Sequence, residues 1–82
     1  MNVQVLIYSR VDCKLCLEAE EIVREILEEI SFELEIIFID GNQELERLYG
    51  EQVPVITING DVHDYYKVDK QRLTQALRAQ IG

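Results

Sequence analysis

The sequence has little cysteine and no long apolar runs. Two cysteines are too few for the set of disulfides that holds a small secreted domain together. No apolar stretch approaches the roughly 18 residues that a transmembrane helix needs. The first residues lack the basic segment that opens a signal peptide. We therefore expect no membrane association and a cytoplasmic location.

Basic residues are also scarce, with 8 Lys and Arg against 16 Asp and Glu, and the net charge is −8. A field of this sign repels phosphate backbones, so we expect no nucleic-acid partner. Eight of the acids fall between Glu18 and Glu35. We interpret this run mainly as the solvated face of a helix, and the alternative is that it steers basic partner proteins toward the molecule.

Length and composition favour one small globular domain over residues 1–82, because 48% of the residues are hydrophobic and 29% are charged. Hydrophobic periodicity predicts the element order βαβαββα. The predicted strands cover residues 3–8, 32–39, 53–58 and 62–66. The predicted helices cover residues 13–30, residues 43–49 after an Asn42 cap, and a segment after an Asp69 cap. Asn59-Gly60 predicts a hairpin between the last two strands. The first strand–helix–strand unit predicts a right-handed parallel crossover, and hence an α/β fold.

Both cysteines lie between the first strand and the first helix, as Cys13-Lys14-Leu15-Cys16. A close pair in a reducing compartment points to catalysis or metal binding rather than to a structural disulfide. The helix start near Cys13 has free N–H groups and the positive end of the helix dipole, which favour a thiolate there. Cys16 falls one turn later, and its alternative role is that of a small core residue.

Metal binding is the main alternative to catalysis. His63 is the single histidine, and with two cysteines it makes three ligands, short of a closed four-ligand zinc site. We therefore predict no metal site and expect His63 to be an exposed strand residue. A binding module remains open, either an adaptor or a metal or iron–sulfur carrier that uses the two thiolates.

The element order, the placement of C-x-x-C and the proline that opens the third strand resemble the glutaredoxin branch of the thioredoxin fold. Residues 8–13, Tyr-Ser-Arg-Val-Asp-Cys, are similar to the glutaredoxin pattern that ends in the nucleophilic cysteine. Val53-Pro54 resembles the Val–cis-Pro pair that faces C-x-x-C in that family. Residues 49–55, followed by Asn59-Gly60, resemble still more closely a group of small bacterial glutaredoxin-like proteins.

The resemblance implies a thioredoxin-like, four-stranded mixed sheet with helices on both faces, and a thiol–disulfide oxidoreductase. Cys13 would attack a substrate disulfide and Cys16 would resolve the mixed disulfide. Val53 and Pro54 would bind substrate, which would be a disulfide-containing protein or a small thiol compound. Arg10 would pair with the thiolate or bind a carboxylate of the substrate, and the alternative is that it is a solvated loop charge. We expect a monomer with no bound cofactor, and glutathione or a reductase as the electron donor.

Three departures from true glutaredoxins concern glutathione. Lys14-Leu15 stands in place of Pro-Tyr, and Gln52 stands in place of Thr. Residues 61–65 replace the Gly-Gly-x-Asp segment that holds glutathione in that family. We therefore expect weak glutathione-dependent activity, because each buried polar group left without a partner costs roughly 1–3 kcal/mol.

Overall fold

A computed structural model describes residues 3–81 as four strands and three helices. The strands are β1 (Gln4–Ser9), β2 (Glu33–Phe38), β3 (Val55–Ile58) and β4 (Asp61–Tyr65). The helices are α1 (Lys14–Leu27), α2 (Gln43–Tyr49) and α3 (Lys70–Ile81). The predicted order is confirmed. Helix α1 ends three residues earlier than predicted, before Glu28 and Glu29, whose charges oppose the negative end of the helix dipole. No helix in residues 3–81 is long and apolar enough to span a bilayer.

The four strands form one mixed sheet in the order β2-β1-β3-β4. Strand β1 is parallel to β2 and antiparallel to β3, and β3 is antiparallel to β4. The β3–β4 hairpin turns at Asn59 and Gly60, both with positive φ (51° and 90°), as the two-residue turn requires. The Asn59 side chain also accepts a hydrogen bond from the Gln4 N–H at 2.9 Å, which ties the hairpin to β1.

The main core lies on one face of the sheet, beneath α1 and α3. It joins alternate residues of β1 and β3 to the apolar stripes of the two helices, because side chains of a strand point to opposite faces in turn. Its fully buried members are Val5, Ile7, Val23, Ile26, Ile56, Leu73 and Leu77. Helix α2 covers the other face, where Tyr49 stacks on Tyr8 of β1 with ring centroids 4.4 Å apart. The sheet therefore has helices on both faces.

Apolar periodicity predicts that Leu48 and Ile81 point inward and that Tyr65 and Tyr66 pack on the sheet, but all four side chains are exposed. Leu48 is exposed because α2 has only two turns and presents Leu45 and Tyr49 to the sheet. Tyr65 and Tyr66 lie at and beyond the end of edge strand β4, and both are about half exposed. Ile81 is exposed because it is the last residue of α3.

Candidate active site

Cys13 is the N-cap of α1. Its backbone is extended (φ −107°, ψ 110°), and its Sγ accepts a hydrogen bond from the Cys16 N–H at 3.2 Å. Its carbonyl accepts the first helical bond, from the Leu17 N–H at 3.1 Å. The sulfur therefore lies where a capping oxygen usually lies, against the free N–H groups of the first helical turn. A negative charge on this sulfur is stabilised by the N–H donor and by the helix dipole.

A sharp turn between β1 and α1 brings Cys13 to this position. Asp12 has a positive φ of 58°, a conformation that Asp and Asn tolerate better than most residues. The Asp40 carboxylate accepts a hydrogen bond from the Val11 N–H at 3.0 Å, across 29 positions of sequence. The loop is therefore held from the end of β2, next to the residues that lead into α2.

The two cysteines differ in exposure although they lie side by side. Their sulfurs are at disulfide-bonding distance and their Cα atoms are 5.2 Å apart, within the usual range for a disulfide. Cys16 is 3% exposed and packs with Ile39 and Val53, whereas Cys13 is partly exposed at the edge of the same cluster. Solvent therefore reaches Cys13 more readily than Cys16.

The segment before β3 packs with the cysteine pair through Val53. The Val53–Pro54 peptide bond is cis, Pro54 is fully buried, and Val53 belongs to the same apolar cluster as Cys16. The carbonyls on either side of Val53, those of Gln52 and Pro54, accept from the Tyr66 N–H at 3.2 and 3.0 Å. Neither the N–H nor the C=O of Val53 has a hydrogen-bond partner within residues 3–81. Val53 thus keeps a free donor and a free acceptor beside the cysteines.

Arg10 extends toward α2. Its Nη2 lies 3.9 Å from a Glu46 carboxylate oxygen, and a Cβ on Gly50 would lie only 3.0 Å from the same nitrogen. Its Nε is buried without a hydrogen-bond partner in the described residues. The Arg10 side chain as a whole is 37% exposed, so part of it is open to solvent.

Tyr8 and Tyr49 form a stacked pair beside the cysteines, with an interplanar angle of 23°. Burial, and then the neighbouring Tyr49, raise the pKa of Tyr8 above its ordinary value. Tyr8 therefore stays neutral near pH 7. The two tyrosines pack against the cluster that contains the cysteines and add no charge to it.

His63 lies in β4, outside the cysteine cluster. It is partly buried rather than exposed, and its Nε2 is buried without a partner in the described residues. The sheet register shifts beside it, so that His63 is the extra residue of a bulge opposite Ile56 and Thr57. Within residues 3–81 no three His, Cys, Asp or Glu side chains are grouped to hold a metal ion.

Tyr66 also lies near the site, and the sequence pattern does not mark it as a site residue. Its N–H holds the segment around Val53, yet two adjacent tyrosines at the end of a strand suggest only packing residues. The nearest local signal in the sequence is the Asp69 cap of α3, which lies three residues after Tyr66 and marks the end of the loop.

A family comparison matches residues 4–78, nearly the whole chain, to the glutaredoxin-like domain (DUF836). A protein of Mycobacterium tuberculosis, described only as uncharacterised, is 32% identical over 75 residues. The match covers 85% of this chain and 77% of that protein. A protein of Mycobacterium bovis matches to the same extent.

Solved structures agree with this match. The solution structure of a Nitrosomonas europaea protein has a TM-score of 0.80 at 35% identity, covering 94% of this chain and 93% of that one. The X-ray structure of an X. campestris protein has a TM-score of 0.78 at 33% identity, covering 92% and 96%. A mutant thioredoxin from Halobacterium salinarum has a TM-score of 0.71 at 22% identity, covering 95% and 74%, which shows the thioredoxin fold alone.

Proposed function

Since the chain belongs to the glutaredoxin-like domain family, we propose that it is a thiol–disulfide oxidoreductase acting through Cys13 and Cys16. The observation that carries the proposal is the asymmetry of the pair at the start of α1. Cys13 is the accessible sulfur, and it receives the N–H of a helix end, whereas Cys16 is buried one turn later. Such a difference suits an attacking thiolate and a resolving thiol.

In the proposed cycle the Cys13 thiolate attacks one sulfur of the substrate disulfide. A Cys13–substrate disulfide forms, and the other substrate sulfur leaves as a thiolate, which takes up a proton. Cys16 then loses its proton and attacks the Cys13 sulfur, which forms the Cys13–Cys16 disulfide and releases the second substrate thiol. Two electrons pass from the protein to the substrate. A small thiol such as glutathione, or a dithiol reductase, returns them.

We propose that the residues around the pair position the substrate. The free N–H and C=O of Val53 would pair with an extended substrate backbone, in the manner of an added strand. Pro54 would hold that segment opposite the sulfurs, since Val53 and Cys16 share one cluster. Arg10 would receive a substrate carboxylate, with Glu46 fixing the direction of its side chain.

The test uses the Cys13→Ser and Cys16→Ser variants with a peptide disulfide. We expect reduced wild-type protein to reduce the peptide and to become the intramolecular disulfide. Cys16→Ser should accumulate a stable mixed disulfide with one half of the peptide, whereas Cys13→Ser should form none. Mass spectrometry of the intact protein distinguishes these products.

Brief alkylation of the reduced protein near neutral pH provides the control on roles, with Cys13 expected to react first. Faster alkylation of Cys16 would contradict the assignment of nucleophile and resolving thiol. Two free thiols after treatment with diamide would contradict dithiol chemistry altogether. Tightly bound metal or an iron–sulfur chromophore in the purified protein would favour the carrier alternative.

A further inference from the structure

Tyr66 adopts a backbone conformation that side chains other than glycine, Asn and Asp rarely adopt. Its φ is 66°, and the Lys67 N–H donates to the Tyr65 carbonyl at 2.9 Å, which closes a turn around Tyr66 alone. Turns of this kind with positive φ are rare and strained. A strained residue beside a site points to a use for its side chain, because glycine would fit the same backbone without strain.

Tyr66 lines a groove of about 170 Å³ together with residues of the first turns of α1, the helix that begins with the cysteine pair. Leu15, which lies between the two cysteines, stands opposite it, and Ala19, Ile22 and Val68 complete the apolar lining. Tyr65 meets the Tyr66 ring edge-on, with centroids 5.5 Å apart. The groove is smaller than the roughly 300–1,000 Å³ of sites that enclose a whole small molecule. Its size suits one apolar side chain.

The surroundings of the groove indicate which kind of molecule would supply that side chain. The Tyr66 N–H binds the carbonyls on both sides of Val53, so the groove lies close to the segment that we propose pairs with a substrate backbone. An extended polypeptide can pair there while one of its side chains enters the groove. Glu18 stands at the α1 rim and makes no salt bridge within residues 3–81, and Glu21 follows one turn later. Lys67 stands at the opposite rim.

We propose that Tyr66 is a specificity-determining residue and that the groove between Tyr66 and Leu15 receives an apolar side chain next to the attacked cysteine of a polypeptide disulfide. Glu18 receives a Lys or Arg that follows this side chain toward α1, where charge complementarity favours a basic residue. The inference rests on the proposed function and names its substrate class. A small disulfide without a flanking side chain does not use the groove.

The experiment measures single-turnover rates of the reduced protein on short cysteine peptides that carry thionitrobenzoate in a mixed disulfide. The residues beside cysteine are Leu-Lys, Gly-Lys or Leu-Glu, and 2-hydroxyethyl disulfide serves as the small substrate. We expect wild type to prefer Leu-Lys over Gly-Lys by roughly ten-fold, as filling or emptying an apolar pocket typically does. Tyr66→Gly should lose this preference, and its rate on 2-hydroxyethyl disulfide, measured alongside, corrects the comparison for any general change in thiol reactivity.

Further variants distinguish the effect of the Tyr66 side chain from the effect of its backbone conformation. Tyr66→Phe should keep the preference, and Tyr66→Asn, which tolerates the same φ, should lose it. Urea unfolding should show Tyr66→Gly at least as stable as wild type, so that lost preference cannot come from unfolding. Val62→Ala, an exposed change in β4 outside the groove, is the matched control and should match wild type.

A second pair of variants tests the charge. Glu18→Gln should reduce the preference for Leu-Lys over Leu-Glu, and Glu21→Gln, an exposed acid of α1 outside the groove, should reduce it less. Equal Leu and Gly rates in wild type, or an unchanged preference in Tyr66→Gly, would overturn the inference while leaving the proposed function intact. Failure of wild type to reduce even 2-hydroxyethyl disulfide would overturn the proposed function, and the inference with it.

Discussion

At the scale of single residues, Cys13 combines two roles that are usually separate. N-caps are commonly Ser, Thr, Asp or Asn, whose oxygen satisfies an N–H group of the first turn. Here a sulfur takes that place and accepts from the Cys16 N–H. The group that completes the helix is therefore also the group we propose to react. Attack on a substrate would exchange this contact for a covalent bond, and formation of the Cys13–Cys16 pair would keep both sulfurs within the first turn.

His63 is the residue whose ionisation bears on stability near neutral pH. Burial, and then the Arg72 charge, lower its pKa, while Asp64 opposes the shift. Arg72 also pairs with Asp64 at 3.6 Å, which holds both charges near the ring. The folded protein therefore favours the neutral imidazole, while the unfolded chain takes up a proton near the ordinary value of about 6.5. As the pH falls through that value, protonation of the unfolded state lowers the free energy of unfolding.

We predict that His63→Gln removes this part of the pH dependence. Glutamine is polar and of similar length but does not titrate in this range, so the fall in stability from about pH 7.5 to about pH 5.5 should be smaller in the variant. Urea unfolding at the two pH values, for wild type and variant, gives the comparison. Carboxylates titrate in both proteins and cancel in the difference. Parallel pH profiles would mean that His63 ionises equally in the folded and unfolded states.

At the scale of elements, most of the fold could be predicted because each element carries its own local signals. The spacing of apolar residues locates the helices, and the Asn59-Gly60 turn joins β3 to β4. The Asn42 side chain caps α2 by accepting from the Leu45 N–H at 3.1 Å, as predicted. These features depend on residues within a few positions of one another, which a sequence displays directly.

The parts of the site that could not be predicted depend on residues distant in sequence. The conformation of Tyr66 is held by carbonyls of Gln52 and Pro54, and no local pattern marks a tyrosine for positive φ. The direction of Arg10 depends on Glu46 and on the space left by Gly50. The C-x-x-C motif located the cysteines, but the groove forms only when α1 and the loop that follows β4 have come together.

Helix α3 provides a prediction at this scale, because one side chain caps it. The Asp69 Oδ1 accepts from the Arg72 N–H at 3.0 Å, and α3 contributes the fully buried Leu73 and Leu77 to the main core. We expect Asp69→Ala to lower the free energy of unfolding by about 1 kcal/mol. Asp69→Asn, which keeps a capping oxygen, should lose much less. Urea midpoints of the three proteins measure this, and equal losses in both variants would show that the charge of Asp69 matters rather than its hydrogen bond.

At the scale of the whole molecule, the main hydrophobic core and the cysteine pair occupy different parts of the sheet. The large core under α1 and α3 occupies one face, while the cysteines, Val53 and the Tyr8–Tyr49 pair gather at the end of the sheet near α2. Four of the sixteen acids, Glu18, Glu20, Glu21 and Glu25, lie along α1, outside this cluster. The site therefore opens next to a strongly acidic surface without being built from it, since its own lining is mainly apolar and aromatic.

This charge distribution predicts that ionic strength affects basic and acidic substrates in opposite ways. With a net charge of −8, the protein should attract a lysine-rich peptide disulfide and repel a glutamate-rich one of the same length. The range of the field shrinks from about 30 Å at 0.01 M salt to about 8 Å at 0.15 M. Over this range we expect kcat/KM to fall several-fold for the basic peptide and to rise for the acidic one, with little change for neutral 2-hydroxyethyl disulfide. The neutral substrate controls for effects of salt on the reactivity of the thiols. If kcat/KM changed in the same direction for all three substrates, the cause would be thiol reactivity, and electrostatic steering by the negative charge of the protein would be refuted.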